Sequence, residues 1–197
     1  MTHSTQQDFI LYVKNKYSDY FENSKVLEIG SLDINGSMRL FFSECDYLGI
    51  DVGEGPGVDL VSQGQEYDAL DESFDVCASG ECFEHNPYWA ETFCNMVRMC
   101  KSGGLVLFTC ATIGRKEHGT SRSDSGSSPL TVGIGWEYYR NLDEQDFRGS
   151  FEESFDEIFS EYEFHSTEDY DKPTDFINNM RNYITPCEDL YFWGIKK

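Results

Sequence analysis

The sequence is poor in positive charge. Its 15 lysines and arginines stand against 36 aspartates and glutamates, a formal net charge of −21. A field of that sign repels polyphosphate and gains nothing from counterion release on a nucleic acid backbone, so no DNA or RNA partner is expected. The ordinary use of such acidity is a solvated surface. No run of residues is long and apolar enough to span a bilayer, and no membrane partner is expected. Met1 to Gln7 lack the basic and apolar blocks of a secretion signal. The seven cysteines contain no Cys-x-x-Cys pair, which leaves neither a disulfide framework nor the usual zinc spacing. Several sit in apolar runs, where a free thiol acts as a small hydrophobe, so the expected setting is the reducing cytoplasm.

What remains is enough for one folded domain over residues 1–197, since a chain of this length buries a sizeable core. Phe9, Ile10, Val13, Tyr17 and Phe21 recur at helical spacing after a Ser4/Gln7 capping pair, predicting a helix from about Thr5 to Tyr20. Lys25–Ile29 reads as a buried strand ending at Gly30. Asn35 is placed to cap a brief helix from Gly36 to about Phe42. Tyr47–Val52, Val58–Val61 and Phe74–Ala78 read as further strands, with a loop over 62–73. Asn86 and Pro87 open a helix whose face carries Trp89, Phe93, Met96, Val97 and Cys100, and Gly103-Gly104 stops it before the strand Leu105–Thr109. Asp143 to about Phe159 reads as a helix with a core stripe of Phe147, Phe151, Phe155 and Phe159. Tyr162–His165 and Leu190–Ile195 read as a closing strand pair. Alternating strands and helices imply a parallel sheet with active groups at the carboxyl ends of its strands.

Two motifs point to a nucleoside ligand. Val26-Leu27-Glu28-Ile29-Gly30 is a buried strand with an acidic residue near its end and a glycine that permits a close turn. Gly30 to Gly36 is not the Gly-x-Gly-x-x-Gly of a dinucleotide site, which weakens a dehydrogenase reading. Asp51, ending the second strand, stands where a carboxylate accepts both hydroxyls of a ribose.

Taken in order, Val26 to Gly36, Tyr47 to Val52, Phe74 to His85 and Met99 to Thr109 resemble the successive motifs of class I S-adenosylmethionine (SAM)-dependent methyltransferases. Downstream of Cys110 the His-Gly-Thr and Tyr-Tyr-Arg-Asn pattern is similar to that of a bacterial and viral subgroup. The resemblance implies a Rossmann-like, seven-stranded α/β sheet, parallel except for the final strand, with helices on both faces. It implies SAM as cofactor and S-adenosylhomocysteine (SAH) as product. Glu28, Gly30 and Ser31 would then face the methionine part, Asp51 the ribose and Val52 the adenine, while Ser79 and Glu81 line the pocket.

An activated sulfonium methyl needs little beyond alignment and exclusion of water, and a protonated oxygen or nitrogen acceptor gains from a base. His85, after the fourth strand, and His118, within a polar segment over 113–135, are the candidate bases; His3 and His165 look ordinary. Residues 113–140 read as a lid and substrate loop, because the stretch is too long for a simple connector. Trp136, Tyr138, Tyr139 and Arg140 are candidate substrate contacts through stacking and anion binding. Strand-end spacing does not turn Glu81, Glu84 and His85 all inward, so no metal site is expected. The expected reaction is methyl transfer to a small-molecule acceptor. The alternatives are a SAM- or SAH-binding module without catalysis and a protein methyltransferase acting on basic substrates.

Overall fold

A computed structural model describes residues 4–166 and 189–197; His3 and Cys187 lie outside them. Helix α1 (Ser4–Lys16) precedes strand β1 (Lys25–Ile29), then β2 (Asp46–Asp51), the short β3 (Leu60–Val61) and β4 (Phe74–Gly80). Helix α2 (Trp89–Met99) leads directly into β5 (Cys100–Ala111). Three short helices follow, α3 (Pro129–Gly133), α4 (Glu144–Arg148) and α5 (Phe155–Ile158), before β6 (Phe159–Ser166) and β7 (Asp189–Lys196). The strands form one sheet in the order β3-β2-β1-β4-β5-β7-β6. Only β7 runs against its neighbours. The order turns back between β1 and β4, and at such a switch point the strand ends diverge to leave a crevice.

Period-two alternation divides the buried side chains between two layers. Leu105 and Leu107 of β5 join Val26, Val76, Tyr191 and Trp193 under Phe9, Ile10 and Val13 of α1. Val106 and Phe108 face the other way, to Phe93, Met96 and Val97 of α2. Phe147, Phe155 and Phe159 are buried in that second layer, with Phe151 packed against it. The expected phenylalanine stripe is therefore core, but no single helix carries it. Gly149 caps the end of α4, and Ser154 starts α5 by donating its N–H to the Glu157 carboxylate at 2.9 Å. These local caps override the four-residue phenylalanine period.

Other boundaries also move. Helix α1 stops at Lys16, and Ser18–Phe21 winds as a 3₁₀ turn that still buries Phe21; Ser18 and Asp19 bond each other instead of favouring helix. The brief helix is a 3₁₀ turn over Met38–Phe41, capped by Ser37 rather than Asn35. No helix among the described residues is long and apolar enough to cross a membrane.

Candidate functional site

The site begins with a turn that only glycine can make. Gly30 has φ +80°, and a Cβ there would fall 2.5 Å from the Cβ of Cys82. The N–H groups of Gly30 and Ser31 both donate to the Ile50 carbonyl, at 2.9 and 3.1 Å, so the turn is pinned to the end of β2. The next residue, Asp51, accepts from the Leu32 N–H at 3.0 Å through Oδ2 and from the Val52 N–H at 2.7 Å through Oδ1. Burial raises the pKa of its carboxyl, against the pull of these two amide bonds. Each oxygen keeps a lone pair for a further donor.

At the end of β4 the backbone turns through Glu81, which adopts φ +51°. Its N–H donates to the Thr109 carbonyl at 2.8 Å, and its carboxylate accepts from the Thr109 hydroxyl at 3.0 Å. A narrow cavity of about 40 Å³ lies between these strand ends, lined among others by Gly30, Asp51, Glu81, Cys82, His85 and Leu130. A wider cleft of about 470 Å³ adjoins it, bordered by Glu81, His85, Arg115, His118, Asp124 and Ser127 among others. Glu81, His85 and Ser127 line both spaces.

The residues singled out from sequence separate into two groups. Gly30, Asp51, Glu81 and His85 meet at the narrow cavity, and His118 joins Glu81 and His85 at the cleft. Glu28 lies elsewhere. Strand alternation turns it to the α1 side with Val26, where its buried carboxylate accepts from the Tyr47 hydroxyl at 2.8 Å. Burial pushes its pKa up to about 7. Ser79 spends its hydroxyl on the Ile29 carbonyl at 2.8 Å, and Ser31 is wedged against Gly49. Val52 contributes its N–H to Asp51 but lines neither space.

Of the four candidate substrate contacts, only Tyr139 turns toward the histidines, with ring centroids 5.6 Å from His85 and 4.9 Å from His118. Trp136 packs on Tyr88, Tyr138 on the α2-side core, and Arg140 pairs with Asp146 above the Trp89 ring. The stretch 136–140 has no helical or strand repeat, so sequence adjacency does not give a shared face.

The two histidines differ in burial, His118 being half-buried at the cleft. His85 is buried, its ring centroid is 4.9 Å from that of His118, and the backbone of Gly119 packs on it. Burial, with His118 beside it, pushes the His85 pKa down to about 3, so the ring is neutral. Glu84 is fully buried, and burial lifts its carboxyl to about 7. The Glu81 carboxyl is driven up by burial and by the nearby Asp189 and Glu84. Arg115 pairs with the buried Asp189 at the first residue of β7. Sequence reasoning missed Arg115 and Leu130, since one cation and one leucine in a polar loop carry no pattern.

Residues 25–108 match the family model described as a methyltransferase domain. Among solved structures, the chain is similar to a Burkholderia thailandensis 1,6-didemethyltoxoflavin-N1-methyltransferase with bound 1,6-didemethyltoxoflavin and SAH. The TM-score is 0.60 at 10% identity, covering 98% of this chain and 79% of that one. A Haemonchus contortus phosphoethanolamine N-methyltransferase 2, in complex with phosphomonomethylethanolamine and SAH, gives 0.57 at 17% identity over 95% of this chain. This chain spans about half of that one, 51%. The [4+2]-cyclase SpnF gives 0.57 at 13% identity, over 97% and 84% of the two chains. At these identities the likeness is one of fold. No curated protein matches the sequence.

Proposed function

We propose that this chain binds SAM across the ends of β1, β2 and β4 and passes its methyl group to a small acceptor in the adjoining cleft. One observation carries the reading: the Gly30 turn and the Asp51 carboxylate border a single cavity that meets the cleft at Glu81 and His85. Asp51 would take the ribose hydroxyls, and Gly30 lets the cofactor approach the backbone. Glu28, Ser31 and Ser79 support the pocket from behind. The relatives crystallised with SAH and a small acceptor hold both ligands in one protein of this fold.

In the reaction, a lone pair of the acceptor forms the new bond to the methyl carbon. The carbon–sulfur bond breaks, and its electrons return to sulfur as the neutral thioether of SAH. The protein's share is alignment and exclusion of water. His118, in the cleft, is the group offered to a proton on the acceptor, with the neutral His85 at the junction of the two spaces and Tyr139 as walls.

The narrow cavity is far below the roughly 300 Å³ that a drug-sized ligand fills. Ser127 to Thr131 stand across it. Cofactor entry therefore displaces this segment, which makes residues 113–140 the lid of a domain that includes all the described residues. The charge of the chain favours small acceptors over nucleic acid.

Calorimetric titration with SAM and with SAH, on the wild type and on Asp51→Ala, tests the reading. Binding that collapses in the variant is the expected result. No binding of either ligand to the wild type overturns it. A second reading keeps the pocket without methyl transfer, as the name of the similarly folded SpnF, a cyclase, suggests. SAM binding with no labelled methyl recovered from a broad acceptor panel favours that one.

A further inference from the structure

Three side chains of metal-binding type meet beside the cleft, which His85 and His118 line and behind which Glu84 is buried. Glu84 and His85 come from the turn after β4, and His118 comes from the segment folded over it. One donor atom of each lies within 4.8 Å of the other two. Glu84 is wholly buried, and neither carboxylate oxygen has a hydrogen-bond partner among the described residues. His85 is buried with its Nδ1 likewise unpartnered. The two do not satisfy each other, because Nε2 of His85 stands 3.8 Å from Oε1 of Glu84, beyond hydrogen-bond reach. Folded proteins leave few buried polar atoms in this condition, and each one calls for a cause.

The third side chain is already oriented. Nδ1 of His118 lies 3.0 Å from the Lys116 carbonyl. A carbonyl only accepts, so Nδ1 carries the proton and Nε2 keeps the lone pair. Histidines that ligate metals are commonly fixed this way through the second nitrogen. The local charge also suits a cation: Glu81, Glu117 and Asp124 border the same cleft, while of its two cations Arg115 is paired with Asp189 and Lys116 is exposed.

We infer that Glu84, His85 and His118 bind a divalent transition-metal ion, with an open coordination position facing the cleft. Two imidazoles and a carboxylate suit zinc and its neighbours in the first transition row. Bonds of about 2.0–2.2 Å set tetrahedral donors roughly 3.4 Å apart, so the three must draw in by about 1 Å. His118, on the half-buried edge of the lid, has room to do so. The inference rests on the methyl-transfer reading for its role alone. An ion there would polarise an oxygen-bearing acceptor entering the cleft, and the imidazoles would serve as ligands rather than free bases.

The test uses the full chain, freed of metal with a chelator and without SAM. It is titrated with Co²⁺, followed by visible absorption, and with Zn²⁺, followed by calorimetry. One ion per chain is expected, with affinity falling about tenfold or more in His118→Ala and in Glu84→Gln, and unchanged in His165→Ala on β6. Melting curves of the metal-free variants show which remain folded; should Glu84→Gln unfold, the less buried His118→Ala decides. Failure of the wild type to bind, or binding that survives His118→Ala undiminished, overturns the inference. SAH titration of the same metal-free sample separates the two proposals. SAH binding without metal binding sinks this one alone, and metal binding without SAH sinks the cofactor reading alone.

Discussion

Gly119 and His85 are in backbone-to-ring contact: a Cβ on Gly119 would lie 2.4 Å from Cε1 of His85 and 2.7 Å from its Nδ1. Gly119 also has φ +66°, a conformation that costs an L-residue about 1 kcal/mol. Gly119→Ala therefore adds backbone strain to a clash with a buried ring. The expected loss is about 2–3 kcal/mol in urea unfolding, a typical overpacking cost. Unchanged stability would show that the segment around Gly119 does not rest on His85.

Asp51→Asn keeps the shape of the side chain but removes its charge and turns one of the two oxygens that accept the Leu32 and Val52 N–H groups into an NH₂ donor. Hydrogen bonds to a charged group contribute about 1.5–3 kcal/mol, so SAH affinity should fall at least about tenfold. Equilibrium dialysis measures this directly. Equal affinity in the two proteins would place the ribose elsewhere.

Glu28 links stability to pH. Burial raises its carboxyl from 4.5 to about 7, although the Tyr47 hydroxyl and Arg39 pull the other way. The folded chain thus holds this proton more tightly than the unfolded chain does. The resulting stabilisation is complete below about pH 4.5 and is lost as pH rises through 7. Glu28→Gln removes the effect, so the variant should gain on the wild type by up to about 3 kcal/mol between pH 5 and pH 8. Parallel stability profiles across that range would mean that Glu28 is better solvated than its burial implies.

Arg115→Met leaves the carboxylate of Asp189, itself fully buried, without its guanidinium. Breaking one side of a buried pair costs about 3–5 kcal/mol, and a fall of about 3 kcal/mol in unfolding free energy is expected. Because Arg115 also borders the cleft, limited proteolysis should cut the variant between residues 113 and 135 faster than the wild type. An unaltered digestion pattern would detach this pair from the anchoring of residues 113–135.

Much of this architecture is written in short-range signals. The apolar runs around Val26, Val76 and Val106 announce strands, Asp51 announces its own position at a strand end, and Asn86-Pro87 announces α2 two residues before its start at Trp89. Phe147 to Phe159 shows the limit. Their spacing correctly marks core, yet Gly149 and the Ser154/Glu157 pair decide the backbone locally and split the helix. Glu28 shows another limit, because which face of β1 it takes depends on the phase of alternation relative to the core. The meeting of Glu84 and His85 with His118 could not be read at all. It depends on where a long polar segment lands, and no spacing along the chain encodes that landing.

Ser127 lies on a boundary common to the cavity and the cleft, together with Glu81 and His85. If cofactor and acceptor occupy the two spaces as proposed, a shift of this shared wall on binding one would change the affinity for the other. Thermodynamic reciprocity then applies: if cofactor raises acceptor affinity by some factor, acceptor raises cofactor affinity by the same factor. A substitution at Ser127 would alter that shared factor even if it touched neither ligand, and acceptor discrimination in this fold could drift through a serine that takes no part in the chemistry.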